Sequence, residues 1–85
     1  MADPKVKCAG ITCRKPTFAE TDRFMAGVTS NKLTASRALV LACLESPTLD
    51  EARVIVEAKP AVVLGMAGKL LEIAGSDEEV TIEGN

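Results

Sequence analysis

The chain has 85 residues, enough for one domain. At this length folding hides only about 60 to 65% of the surface that the unfolded chain exposes, so its own core is thin. Ten Lys and Arg against twelve Asp and Glu leave a net charge of −2, without the basic excess that binding a phosphate backbone demands, which argues against a nucleic-acid partner.

Residues 1–9 begin with Met-Ala-Asp-Pro and scattered charge, and are expected to be a loose end. Val6, Cys8, Ile11 and Cys13 then alternate with a break at Gly10, a pattern that fits a short strand or β-hairpin. Pro16 biases Lys15 away from the α region, so the extended piece should end there.

A capping box, Thr17-Phe18-Ala19-Glu20, opens the first helix. The Thr hydroxyl would accept the amide three residues on, while the Glu reaches back to the cap amide. That helix should run from Phe18 to Val28, with Phe18, Thr21, Phe24, Met25 and Val28 inward and Gly27 weakening its last turn. Thr29-Ser30-Asn31-Lys32 forms a turn cluster, followed by a second helix over 33–45. Its second half is apolar nearly all round, which marks Ala38 to Leu44 as the best core candidate, with Leu41 and Phe24 named as core residues.

Ser46-Pro47 breaks the chain, and a second box, Thr48-Leu49-Asp50-Glu51, opens a third helix over 49–59 with Leu49, Ala52, Ile55 and Val56 inward. Pro60 ends that helix and starts a fourth, which stops at Gly75 by the Pro-first, Gly-last asymmetry of helix ends. Val63, Ala67, Leu70, Leu71 and Ala74 form one stripe of this helix, and Val62, Met66 and Ile73 an adjoining one. Together they are wider than one buried face requires, so part of the helix either sits deep or is left for a partner. Ala61, Gly65 and Gly68 add a line of small residues. Each Gly costs about 1 kcal/mol of helix propensity relative to Ala, a cost expected to be offset by close approach of a neighbouring helix, within the fold or on a partner. Ser76 to Asn85 is acidic with a lone Val80-Thr81-Ile82, and reads as a loose tail or a marginal edge strand. The expected fold is mainly α: a single domain over 1–85, a bundle of about four short helices with a short extended or β segment at the N-terminus, ordered over about 11–75.

Chemistry is scarce. With no His the commonest general base and zinc ligand are missing, and Cys8, Cys13 and Cys43 lack the paired spacing of a zinc site. Glu20 and Asp22, two apart on a helix, do not face each other. Asp77, Glu78 and Glu79 read as a solvated run, and Lys69 is followed by Leu70 where a phosphate loop needs a hydroxyl. The expectation is no enzyme, no metal and no cofactor. An odd number of cysteines without a signal-like apolar stretch points to the reducing cytoplasm, and the apolar stretches, interrupted by Gly65, Gly68 and Lys69, are too short to span a membrane. Charge is polarised: residues 1–37 carry seven Lys and Arg against three acids, and residues 38–85 three against nine. Such polarity fits solvated faces, a head-to-tail contact between copies, or an acidic tail meeting a basic partner.

From Ile11 to Gly75 the order of features resembles the small tail assembly chaperones of long-tailed bacteriophages and prophages. The residues that carry the resemblance are Ile11-Thr12-Cys13-Arg14-Lys15-Pro16-Thr17, Glu20-Thr21-Asp22-Arg23-Phe24, Ala42-Cys43-Leu44-Glu45-Ser46-Pro47 and Lys59-Pro60-Ala61 leading to Leu70-Leu71-Glu72-Ile73-Ala74-Gly75. It implies a cytoplasmic protein that binds the long, helical tape measure protein and keeps it soluble while tail tube subunits assemble, with self-association expected. A holding chaperone needs apolar surface to take an amphipathic helix. The fourth helix and the Ala-rich second helix are the candidates, with Val62, Val63, Met66 and Leu70 as the expected partner-binding residues; the opposite assignment of inward and outward faces is the alternative. The second functional reading is a small helical protein-protein interaction adaptor or antitoxin-like regulator.

Overall fold

Ala9 and Gly10, both at positive φ (53° and 86°), form a two-residue reversal that joins strand β1 (Val6–Cys8) to β2 (Ile11–Cys13). Two consecutive left-handed residues match the right-handed twist of the flanking strands, which is why such turns close tight hairpins. The register is Val6↔Cys13, Lys7↔Thr12 and Cys8↔Ile11. The fold, described in a computed structural model for residues 4–76, Thr81, Ile82 and Gly84, thus begins earlier than the expected loose end allows. Val6 is buried with Ile11 and Cys13, so the hairpin supplies one wall of the core.

Helix α1 spans Phe18–Val28, and both halves of its capping box form: Thr17 Oγ1 accepts the Glu20 amide, and Glu20 accepts the Thr17 amide at 2.9 Å. Helix α2 spans Lys32–Ala42 and is capped by Asn31, whose side chain accepts the Thr34 amide at 3.0 Å. It stops three residues short of the expected end. Leu44–Ser46 instead forms β3, antiparallel to β2, and the sheet order is β1-β2-β3. Apolar periodicity reports helix or strand only locally, whereas here the open edge of β2 captures the chain.

Helix α3 spans Leu49–Ala58 with Thr48 as its cap; the Glu51 amide donates to Thr48 Oγ1 at 3.4 Å, and the return bond from Glu51 does not form. Helix α4 begins with Pro60 as its first residue, runs to Leu71, and widens into a π-helical turn over Glu72–Ser76 that carries Gly75 at φ 118°. A left-handed residue at that place is what glycine tolerates. Of the expected tail features, Thr81 and Ile82 lie outside any strand, and Asp77, Glu78, Glu79, Val80, Glu83 and Asn85 lie outside the described residues.

The core is built by Leu39, Val40 and Cys43 from the α2 end, Val63, Met66, Ala67 and Leu70 from α4, Phe24 from α1, Val56 from α3, and the hairpin residues. Several expected inward positions are not there. Leu41 is half-buried, Ala38 and Ala42 are exposed, and Phe18, Met25 and Leu49 face solvent, Phe18 at 89% exposure. Phe18 opens its helix, before the first turn has neighbours to pack upon, and Leu41 is partly exposed beside the fully buried Val40. Among the described residues no helix is long and apolar enough to cross a membrane.

Candidate functional site: the groove between α1 and α2

Small residues set the spacing of α1 and α2. A Cβ built on Gly27 would stand 3.5 Å from the Cβ of Ala35, ordinary van der Waals contact, so the two helices approach closely at this level. Beyond it the outer surface opens into a groove of about 380 Å³, floored by Phe24, Ala35 and Leu39 and walled by Ala38 and Ala42. Arg23 and Glu20 stand at the rim on α1, and Ser30, Asn31 and Thr34 close the other end. An apolar trough between two helices, with polar groups confined to its margin, has the form that accepts a third helix side-on.

One end of the groove is held by a polar knot. Arg14, just after β2, donates from both guanidinium nitrogens to the two carboxylate oxygens of Glu20 at 2.8 Å each, and also to the Ala42 carbonyl at 3.0 Å. Its backbone amide donates to the Cys43 carbonyl at 2.9 Å. One arginine therefore ties β2 to the start of α1 and to the end of α2. The Arg14 hydrogen bonds, with help from the Thr17 amide and against the effect of burial, hold the Glu20 carboxyl down to about 2. In return the carboxylate raises the already high pKa of Arg14.

Below the knot are two buried thiols. Burial pushes Cys43 up to about 12, aided by the negative charge of Glu20, and pushes Cys13 up to about 11. Both therefore stay protonated near neutral pH and pack as small apolar groups, Cys13 Sγ donating to the Val40 carbonyl at 3.3 Å. Cys8 is exposed on β1. Among the described residues no group of three His, Cys, Asp or Glu side chains is placed to hold a metal ion.

The expected contact residues on α4 lie elsewhere. Val63, Met66 and Leu70 are 1, 2 and 0% exposed, and Val62 is half-buried against the same core. Val63, Met66 and Leu70 thus lie in the monomer's own interior and not on the outward contact face expected of them, because α4 packs against α2, α3 and β1, while Val62 stays half-buried at the margin of that core. What α4 leaves outside is Ala61, Leu64, Gly65 and Gly68. A Cβ on Gly65 or Gly68 would meet nothing within 4 Å, so the close helix approach expected there does not occur inside the fold.

The Ala-rich second helix does provide surface, as expected, but through Ala38 and Ala42, which sequence reading placed in the core. The spacing of Ala35, Ala38 and Ala42 opposite Gly27 is the signal that could have found the groove. For the Arg14–Glu20 pair no local signal exists beyond Glu20's place in the capping box.

Comparison with known proteins gives a family. Residues 6–83 match the family described as a domain of unknown function, DUF6848. The chain belongs to the DUF6848 family. The fold of this DUF6848 domain is also seen in the structure of the uncharacterised protein rbstp2171 from Bacillus stearothermophilus, at a TM-score of 0.77 and 20% identity over 94% of this chain and 88% of that one. At that identity the likeness shows the fold alone. No curated protein matches this chain in sequence.

Proposed function

We propose that this DUF6848 domain is a helix-holding assembly module, and that it acts as a phage or prophage tail assembly chaperone that keeps a tape measure protein soluble in the host cytoplasm. The observation that carries this reading is the open apolar groove between α1 and α2, lined by Phe24, Leu39, Ala38 and Ala42. Its walls are alanines, so the backbone of an incoming helix can come close, and its floor offers one aromatic and one Leu side chain. A tape measure protein as client is supported by the resemblance of Arg14-Lys15-Pro16-Thr17, Ala42-Cys43-Leu44-Glu45-Ser46-Pro47 and Lys59-Pro60-Ala61 to the tail assembly chaperones.

A client of this kind is long, amphipathic and prone to aggregate. A module with a fixed trough would cover a short length of apolar stripe per copy, so many copies, or copies associated with one another, would coat it. Holding requires no catalysis and no cofactor. The test is co-expression of the full chain with the long helical product of a neighbouring gene and measurement of that product's soluble fraction. The reading expects a several-fold rise with the native chain and none with Ala38→Glu/Ala42→Glu. A soluble fraction independent of this chain would overturn it.

A further inference from the structure

The outer edge of β1 is basic and, among the described residues, has no partner strand. In a hairpin closed by a two-residue turn, Cys8↔Ile11 and Val6↔Cys13 are the hydrogen-bonded pairs, so the N–H and C=O of Lys7 point away from β2. The same alternation sends Thr12 of β2 toward β3, where it pairs with Ser46. Among the described residues no strand covers the other side of β1, since the sheet order is β1-β2-β3. Lys5 is held by Glu45 at 2.7 Å, whereas Lys7 forms no ion pair among the described residues.

The tail carries the matching pattern. Glu79-Val80-Thr81-Ile82-Glu83 alternates polar and β-branched residues, as Lys5-Val6-Lys7 alternates basic and apolar ones. Aligned face to face, Val80 and Ile82 would share the side of buried Val6, and Glu79, Thr81 and Glu83 the side of the lysines. Ile82 is 98% exposed, so this large apolar side chain finds no cover among the described residues. The family match runs to residue 83, which places this segment inside the recurring domain. Lysines on a strand edge repel indiscriminate pairing, but an acidic strand turns that repulsion into attraction, with opposite charges directly across the ladder.

We propose that the C-terminal segment around Val80–Ile82 of one copy adds as a strand to the β1 edge of a second copy, with Lys7 facing an acidic residue of the tail. The arrangement is head-to-tail, and it joins the basic half of one molecule to the acidic half of the next. It uses a different surface from the helix groove and does not depend on the chaperone reading.

Sedimentation equilibrium of the full chain across a range of concentrations tests this, together with amide hydrogen exchange at Lys7. The expected result is concentration-dependent self-association, with the Lys7 amide protected only in the associated state. Ile82→Asp and Lys7→Glu should each weaken association at least tenfold, with helical circular dichroism unchanged. Lys7→Glu combined with Glu79→Lys and Glu83→Lys should restore it. A chain that stays monomeric at every concentration overturns the proposal. Association indifferent to Ile82→Asp, or a charge swap that restores nothing, also overturns it. Protection of Lys7 in a monomer would assign the tail to its own β1 instead and equally overturn the contact between copies. None of these outcomes bears on client solubility, which is read through Ala38 and Ala42.

Discussion

Arg14 and Glu20 meet through two parallel hydrogen bonds of 2.8 Å, the fork of the guanidinium matched to both oxygens of the carboxylate. Bidentate pairs of this kind fix orientation as well as contributing energy. The Glu20 side chain is only 17% exposed and the Arg14 side chain 39%, so solvent screens the arginine end of the pair more than the carboxylate end.

The acid limb of stability follows from that pair. Glu20 has a folded pKa of about 2, below its ordinary value of 4.5, so the unfolded chain takes up the proton first and stability falls as pH drops. Its contribution is complete above about pH 4.5 and is lost as the pH falls through the folded pKa near 2. Arg14→Ala or Glu20→Gln should lower stability at pH 7 by about 1–2 kcal/mol, after discounting for screening. Urea denaturation of Glu20→Gln between pH 7 and pH 2 should also show a flatter pH dependence than the native chain; parallel curves would refute the assignment.

Ser36 is buried in α2, and its hydroxyl has no hydrogen-bond partner among the described residues. A buried polar group left unsatisfied costs about 1–3 kcal/mol. Ser36→Ala removes the group, leaves little empty volume and raises helix propensity, so it should stabilise the domain by about 0.5–1 kcal/mol. For a chain of this size that is a rise of a few degrees in Tm, about 4–8 °C per kcal/mol, readable by thermal circular dichroism. An unchanged or lower Tm would mean that the hydroxyl is satisfied in solution.

Gly65 and Gly68 lie within α4 with open space where a Cβ would stand. Each Gly→Ala replacement should therefore stabilise by about 0.5–1 kcal/mol through reduced freedom of the unfolded chain. The two sites are independent of the groove. Guanidinium midpoints should rise for both variants with client holding unaltered, and loss of holding in Gly65→Ala would move the client site to α4.

Local chemistry made part of this fold legible in the sequence. Thr17 and Glu20 set the start of α1, Pro60 set the start of α4, and Gly10 marked the hairpin break, because each acts on its immediate neighbours. What stayed hidden depends on partners distant in sequence. Cys43 and Leu44 continue an apolar helical pattern, yet Leu44 pairs with Cys13 and begins a strand. The breadth of the α4 stripe was plain, but breadth says nothing about direction, and only the positions of α2, α3 and β1 decide that Met66 turns inward. The groove is not legible in the sequence because alanines suit a core and a close-approach surface equally well, and Gly27 by itself signals only a weakened helix turn.

The opposed assignments of α4 and the α1–α2 groove make a decisive pair of substitutions. Leu70→Ala removes a fully buried side chain that packs in the core cluster, and should cost about 2–5 kcal/mol of stability by combined loss of burial and cavity formation. Ala38 and Ala42 are exposed, and replacing both with Glu should change stability by about 0.5 kcal/mol or less, as for most surface positions. Client holding should respond in the opposite sense. At a temperature where both variants are folded, Leu70→Ala should retain holding per folded molecule, and Ala38→Glu/Ala42→Glu should abolish it, because two carboxylates in an apolar trough would have to lose water without gaining a partner. If Leu70→Ala proved innocuous to folding and harmful to holding, the inward face of α4 would have been assigned the wrong way round.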